Sequence, residues 1–115
     1  MHLSCNHVYL VGTLHGEAEM RFTGTSGAQY ASIILQVEKI TREGKTFTSR
    51  IPVNVYGSGA ALFDDAPAGA LVEVRGELQM TRHPAGGMVP IVASMESRVV
   101  ALPQGALPAR EGVLL

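Results

Sequence analysis

Between residues 46 and 57 the chain alternates with period two: Ile51, Val53 and Val55 fall on one side, and Arg50, Pro52, Asn54 and Tyr56 on the other. Successive side chains of a strand point to opposite faces, so the stretch predicts a strand with two unlike faces. One is aliphatic enough for a core. The other carries a guanidinium, an amide and a phenol, groups that suit a ligand with charges and flat rings.

The same alternation recurs four times. Residues 28–40 place Ile33, Leu35 and Val37 inward and Ser32, Ile34, Gln36 and Glu38 outward; residues 71–80 place Val72, Val74, Leu78 and Met80 inward and charges outward. Residues 6–14 are β-branched and aliphatic, with Val8, Leu10 and Leu14 inward and His7, Tyr9, Val11 and Thr13 opposite, and Gly12 marks a bulge or bend. Apolar residues on both parities of that strand predict cover from two sides, by the core and by a partner chain. Residues 88–100 form a last strand with Ile91, Ala93 and Met95 inward, and Pro90 predicts an edge position at its start.

The segments between are of other kinds. Residues 15–22 mix Glu17, Glu19 and Arg21 with small residues and, with the Gly, Ser and Thr run at 23–27, read as a connection. Residues 39–47 read as a hairpin with its tip at Glu43-Gly44, and residues 81–87 as a loop. After Gly57 the period changes: Ser58 is placed to cap a short helix through Ala60, Ala61, Leu62 and Phe63, ahead of Asp64, Asp65 and Pro67. Three strands, one short helix and two more strands predict an all-β OB-fold, a five-stranded Greek-key barrel with the helix between strands 3 and 4. It would occupy residues 1–102, and residues 103–115, with Pro103, Gly105, Pro108 and Gly112, would form a short flexible tail.

Composition narrows the function classes. A chain of 115 residues fits one domain. With 46 % hydrophobic residues but no Trp, three Tyr and three Phe, its core must be mainly aliphatic, and every ring calls for its own reading. Nine Lys and Arg against ten Asp and Glu leave a net charge of −1, so nucleic-acid binding would rest on local clustering of cations rather than on their total. Lys39, Arg42 and Lys45 cluster at the hairpin, close to Arg50 and Phe47, and Arg82 with His83 precede the Gly86-Gly87 turn. A lone Cys5 excludes an intrachain disulfide and suits a reducing compartment. The apolar run Val8-Tyr9-Leu10-Val11 falls far short of the ~18 residues of a membrane span, which predicts a soluble, cytoplasmic protein with no membrane partner.

Catalytic and cofactor chemistry finds no footing. His2, Cys5 and His7 match no closed zinc spacing. Asp64 and Asp65 are adjacent on a helix end and point apart. Gly57-Ser58-Gly59 has Leu62 in place of a third glycine and lacks a βαβ context. No nucleophile, base and orienting group emerge as a set, so the reading is neither an enzyme nor a metal or cofactor protein.

The residues also resemble a known family, the bacterial single-stranded DNA-binding proteins. Asn6-His7-Val8-Tyr9-Leu10-Val11-Gly12-Thr13-Leu14 is similar to that family's Asn-x-Val-x-Leu-Val-Gly-x-Leu opening, and Glu17-Ala18-Glu19-Met20-Arg21-Phe22 to its Asp-Pro-Glu-x-Arg-aromatic segment. Val53-Asn54-Val55-Tyr56-Gly57 resembles a strand ending in aromatic-Gly, and residues 70–78 resemble Ser-x-Val-x-Val-x-Gly-x-Leu. The likeness runs over about residues 6–102 in the family's order. It implies non-sequence-specific binding of single-stranded DNA in replication, recombination or repair, with contacts to other replication and repair proteins. It also implies a homodimer or homotetramer joined through the first strand, where His7, Tyr9 and Val11 form the second face.

Where the family stacks bases on several aromatics, this sequence has Thr41, Arg50, Tyr56 and His83, so Tyr56 alone keeps a large ring. Residues 109–115 carry no acidic cluster of the kind through which the family recruits partners. Both departures are shared by primosomal replication protein N, a dimeric relative, which makes an OB-fold assembly module of that kind, or an accessory protein of a mobile element, the rival reading. The resemblance and the charge pattern together mark Tyr56, Arg50, Asn54, Arg42, Lys45, Phe47, Lys39, Arg82 and His83 as the DNA-binding residues.

Overall fold

The alternating stretches form six strands and one short helix in a computed structural model that describes residues 4–24 and 26–103. His2 and the predicted tail beyond Pro103 lie outside the described residues. The order is β1 (Val8–Leu14), β2 (Glu19–Phe22), β3 (Gln29–Ile40), β4 (Thr46–Val55), a 3-10 helix (Gly57–Phe63), β5 (Leu71–Arg82) and β6 (Met88–Ala101).

Five of the strands close a ring in the sequence β1-β5-β6-β4-β3, sealed by a second pairing of β1 with β3. This is an OB-fold barrel. The closure depends on Gly12, which sits where β1 leaves β5 and reaches β3 at Thr13↔Gln36 and Leu14↔Leu35. A Cβ at Gly12 would collide with the Gln36 carbonyl, so the bend that shares one strand between two partners requires glycine. The ring's one parallel contact is short, Val53↔Val92 to Val55↔Ser94 between β4 and β6.

The sixth strand, β2, corrects the reading of residues 15–22 as a plain connection: Glu19 to Phe22 pair with Ser32 to Gln29 on β3. Only Met20 of the four reaches the core, so two apolar positions in four gave too short an alternation to register as a strand.

The core parity predicted for β3 and β4 holds. Ile33, Leu35, Val53 and Val55 are buried with Leu14, Val72, Val74 and Val92, and Phe63 on the 3-10 helix is buried among them. Truncating that ring to alanine would cost about 3–5 kcal/mol. The helix itself differs from its predicted start, since Tyr56 rather than Ser58 occupies the capping position and its side chain makes no capping hydrogen bond.

Two predicted parities fail for two physical reasons. Leu78 and Met80 alternate correctly with Val72 and Val74 but are 49 % and 55 % exposed, because β5 runs beyond its last partner on β1, at Gly76, and continues with β6 as an arm that leaves the barrel. On β6, Val92, Ser94 and Ser97 are buried in place of Ile91, Ala93 and Met95, and Met95 is 68 % exposed. Arg75 pairs with Glu96 and Gly76 with Ser94, which leaves Met95 as the extra residue of a bulge. A bulge advances one strand by a residue, so no single parity describes β6.

The bulge is stitched by hydroxyls. Ser94 Oγ donates to the Arg75 carbonyl at 2.6 Å, so Ser97 must be the donor in the 2.6 Å contact between the two serines. Ser94 Oγ also accepts from the Glu96 amide at 3.2 Å. Pro90 fits its predicted edge: it faces Met80 on β5, and β6 acquires its second neighbour only at Val92.

Candidate nucleic-acid interface

The outer face of β2, β3 and β4 is assembled by antiparallel register. Across β3 and β4, Ser32 faces Asn54, Ile34 faces Pro52 and Gln36 faces Arg50, while Arg21 on β2 faces Tyr30. The next step along β3 and β4 brings Tyr30 beside Tyr56, their ring centroids 5.2 Å apart and their planes inclined by 29°. These are the values of an offset stack. Asn54 Nδ2 donates to the Tyr56 hydroxyl at 3.2 Å, so the ring is held at its side and at its tip. Arg50 Nε reaches Gln36 Oε1 at 3.4 Å, the outer limit of a hydrogen bond, and its guanidinium is exposed.

Arg21 Nη2 lies 2.8 Å from Glu19 Oε1 on the same strand. The hydrogen bond that Arg21 donates to Glu19 raises the Arg21 pKa above its ordinary value, with a smaller contribution from Tyr30.

The predicted binding residues therefore divide. Arg50, Asn54 and Tyr56 share this face. Arg42 and Lys45 stand at the tip of the β3–β4 arm, where the turn is closed by the Thr41 amide on the Lys45 carbonyl at 2.8 Å and by Thr41 Oγ1 accepting from the Lys45 amide at 3.1 Å. Lys39 and Phe47 face each other in the register that continues the core side of the arm, so they look away from Tyr56. Arg82 ends β5 on the parity of Leu78 and Met80. His83 opens the β5–β6 turn, its Nδ1 accepting from the Ala85 amide at 3.0 Å.

Tyr30 was missed in the sequence, although it shares the outward parity of Ser32 and Gln36 and is one of three tyrosines. Arg21 was missed because it lies on the unpredicted strand β2.

Past Tyr56 the surface falls into a groove of about 760 Å³, whose lining includes Tyr56, Arg75, Glu77, Gln79, Met95 and Glu96. Asn6 and His7, which lead into β1, also line it. His7, Tyr9 and Val11 are exposed, and residues 8–11 pair only with β5 among the described strands, so the second edge of β1 is open. Tyr9 is part of a polar cluster: its hydroxyl donates to Glu73 Oε2 at 2.8 Å, Arg98 Nε donates to Glu73 Oε1 at 3.0 Å, and the Arg75 guanidinium sits 4.4 Å above the Tyr9 ring. The hydrogen bond from Tyr9, then that from Arg98, holds the Glu73 carboxyl below its ordinary range, and the same bond raises the Tyr9 phenol.

A family model described as the single-strand binding protein family matches residues 5–88, from before β1 to the start of β6. The chain belongs to the single-strand binding protein family. No curated protein matches it. Single-stranded DNA binding, with no catalysis, is the family's activity. In this member of the single-strand binding family, the matched segment contains the Tyr30–Tyr56 stack, Arg50 and both barrel glycines, Gly12 and Gly76.

Proposed function

We propose that the chain binds single-stranded DNA through the outer face of β2–β4, without reading its sequence, and serves replication, recombination or repair in a bacterial cytoplasm. The observation that carries this is the Tyr30–Tyr56 stack beside the exposed Arg50 on one sheet face. An aromatic ring can stack any base, and a guanidinium can meet the phosphate next to it. Bases stack on Tyr56. Phosphates are met by Arg50 and, at the arm tip, by Arg42 and Lys45. Arg82 and His83 close from the second arm, and Lys39 with Phe47 meets a strand that wraps behind the first. Residues 1–102 act as the binding domain.

Self-association through the open edge of β1, with His7, Tyr9 and Val11 outward, makes a homodimer or homotetramer, measurable as a light-scattering mass. Backbone pairing at an unprotected strand edge supports this, since an edge presents unpaired amides and carbonyls.

The test is fluorescence anisotropy with oligo-dT across a salt series. Each phosphate contact contributes about −0.7 to the slope of log K against log salt, so Arg42, Lys45, Arg50 and Arg82 together predict a slope of about −3. Arg50→Ala should reduce its magnitude by about 0.7. Undetectable binding at low salt overturns the reading. That result would favour an assembly module resembling primosomal replication protein N, or a mobile-element accessory protein. The apolar side chains Leu78, Met80 and Met88, exposed on the β5–β6 arm, favour this second reading because they suit contact with protein.

A further inference from the structure

Tyr56 is hemmed in on one side and open on the other. Tyr30 covers part of its ring at 5.2 Å and Asn54 ties its hydroxyl, while Tyr56 also borders the 760 Å³ groove over β5 and β6. That volume lies within the ~300–1,000 Å³ range of small-ligand clefts. The β5–β6 bulge lies in this groove: Gly76 has no side chain, a Cβ there would strike the Ala93 carbonyl, and Met95 bulges out at the rim.

The polar lining has a definite chemical bias. Glu77 and Gln79 stand two residues apart on the outer side of β5, opposite Ala93 and Ile91, and Glu96 adds a second carboxylate. Neither glutamate forms an ion pair among the described residues. Arg75, the guanidinium in the lining, lies over the Tyr9 ring. Arg75 stands opposite Glu96 in the strand register and offsets it, which leaves Glu77 as the carboxylate that repels a phosphate and attracts N–H donors. A base edge fits this groove and a backbone does not.

We infer that the groove receives the base stacked on Tyr56 and favours bases that carry an exocyclic amine. The Glu77 carboxylate accepts from the amino group, as carboxylates do from cytosine N4, and the Gln79 amide donates to the adjacent bare ring nitrogen of cytosine or adenine. Thymine presents a keto oxygen to Glu77, which opposes that contact, and a ring N–H to Gln79, whose amide can turn its oxygen to accept it, so Glu77 carries the discrimination. The inference rests on the single-stranded DNA reading above. It adds a bias at one nucleotide to binding that otherwise ignores sequence, where stacking proteins ordinarily show little preference from hydrogen bonding.

The probe is a pair of oligomers of equal length, one of thymidine and one of 5-methyl-deoxycytidine, which keep the same methyl group and differ at the 4-position and N3. Anisotropy at fixed salt and neutral pH should show the methylcytidine oligomer bound roughly tenfold tighter, the scale of one hydrogen bond to a charged group. Glu77→Ala should bring the ratio to within about twofold of unity by removing that bond. Because losing a carboxylate raises affinity for every strand, the ratio rather than either affinity is the readout, and Glu96→Ala serves as a second variant in which the ratio falls partway.

Equal affinities, or tighter binding of thymidine, overturn the base preference and leave the DNA reading standing. A preference that survives Glu77→Ala together with Glu96→Ala also overturns it, since the selectivity would arise elsewhere. Failure of both oligomers to bind at low salt overturns this inference and the DNA reading together.

Discussion

Two faces of this barrel are built from the same residue types and are equipped for different work. On the β2–β4 face, Tyr56 lies against Tyr30, and the nearby Arg50 has only a long contact to the neutral amide of Gln36. On the β1–β5–β6 face, Tyr9 lies under Arg75, and Tyr9 and Arg98 both bond to Glu73. The deciding difference is one carboxylate. Glu73 occupies the donors around it, so that face is internally satisfied, whereas Arg50 keeps its charge available to a phosphate. A Tyr and an Arg close in space therefore do not specify a nucleic-acid site until their partners are known.

The largest expected effect separates the two faces directly. Tyr56→Ala should weaken oligo-dT binding by about 10- to 100-fold, the scale of one lost base stack. Arg98→Ala, on the other face, should change it by no more than about twofold, as expected for a cation already committed to an exposed ion pair. Anisotropy at one salt concentration decides this. Equal losses in the two variants would erase the contrast.

A smaller effect tests what Tyr30 does. Tyr30→Ala should lower affinity by about fivefold, since an aromatic pair contributes ~0.5–1.5 kcal/mol beyond its buried area. Tyr30→Phe, which keeps the ring, should be nearly neutral. If both variants bind like the parent, the stack is packing alone and Tyr56 needs no support.

The smallest effect is on stability. The Glu73 pKa is lowered in the folded protein, so its contribution is present above the ordinary carboxylate range and is lost as pH falls through the lowered folded value. Glu73→Gln removes that titration, and its melting temperature should fall less steeply with acid than the parent's. Parallel profiles would mean that the Tyr9–Glu73–Arg98 cluster adds nothing to folding.

Much of the candidate site was legible from alternation. Arg50, Asn54 and Tyr56 share a face because every second strand residue does, and their place on β4 needed nothing more. Tyr30 was equally available by parity but only pairing of β3 with β4 puts it beside Tyr56, twenty-six positions away in the chain. Lys39 and Phe47 illustrate the opposite case. Their proximity to Arg50 in sequence suggested one cluster, yet odd and even positions of a hairpin arm look in opposite directions, and the register assigns them to the other side. The groove beside Tyr56 had no signal in the chain, because its walls come from β5, β6, the residues just ahead of β1 and Tyr56 just past β4, and their meeting depends on ring closure.

By itself the sequence determined which stretches extend, which two faces each strand has, the family, and the glycine at which the first strand bends. Those properties follow from local sterics and side-chain periodicity. Tertiary structure alone decided where burial stops and where parity breaks. Leu78 and Met80 read as core by every local rule, but burial requires an opposing surface, and their strand outruns the barrel that would supply it. Ile91, Ala93 and Met95 read as core on β6, but the bulge at Met95 shifts the register by one residue and hands the interior to Val92, Ser94 and Ser97. The strand that carries Arg50 and Tyr56 could be read from its own residues, while the ring behind Tyr56 and the groove in front of it exist only because distant strands close around it.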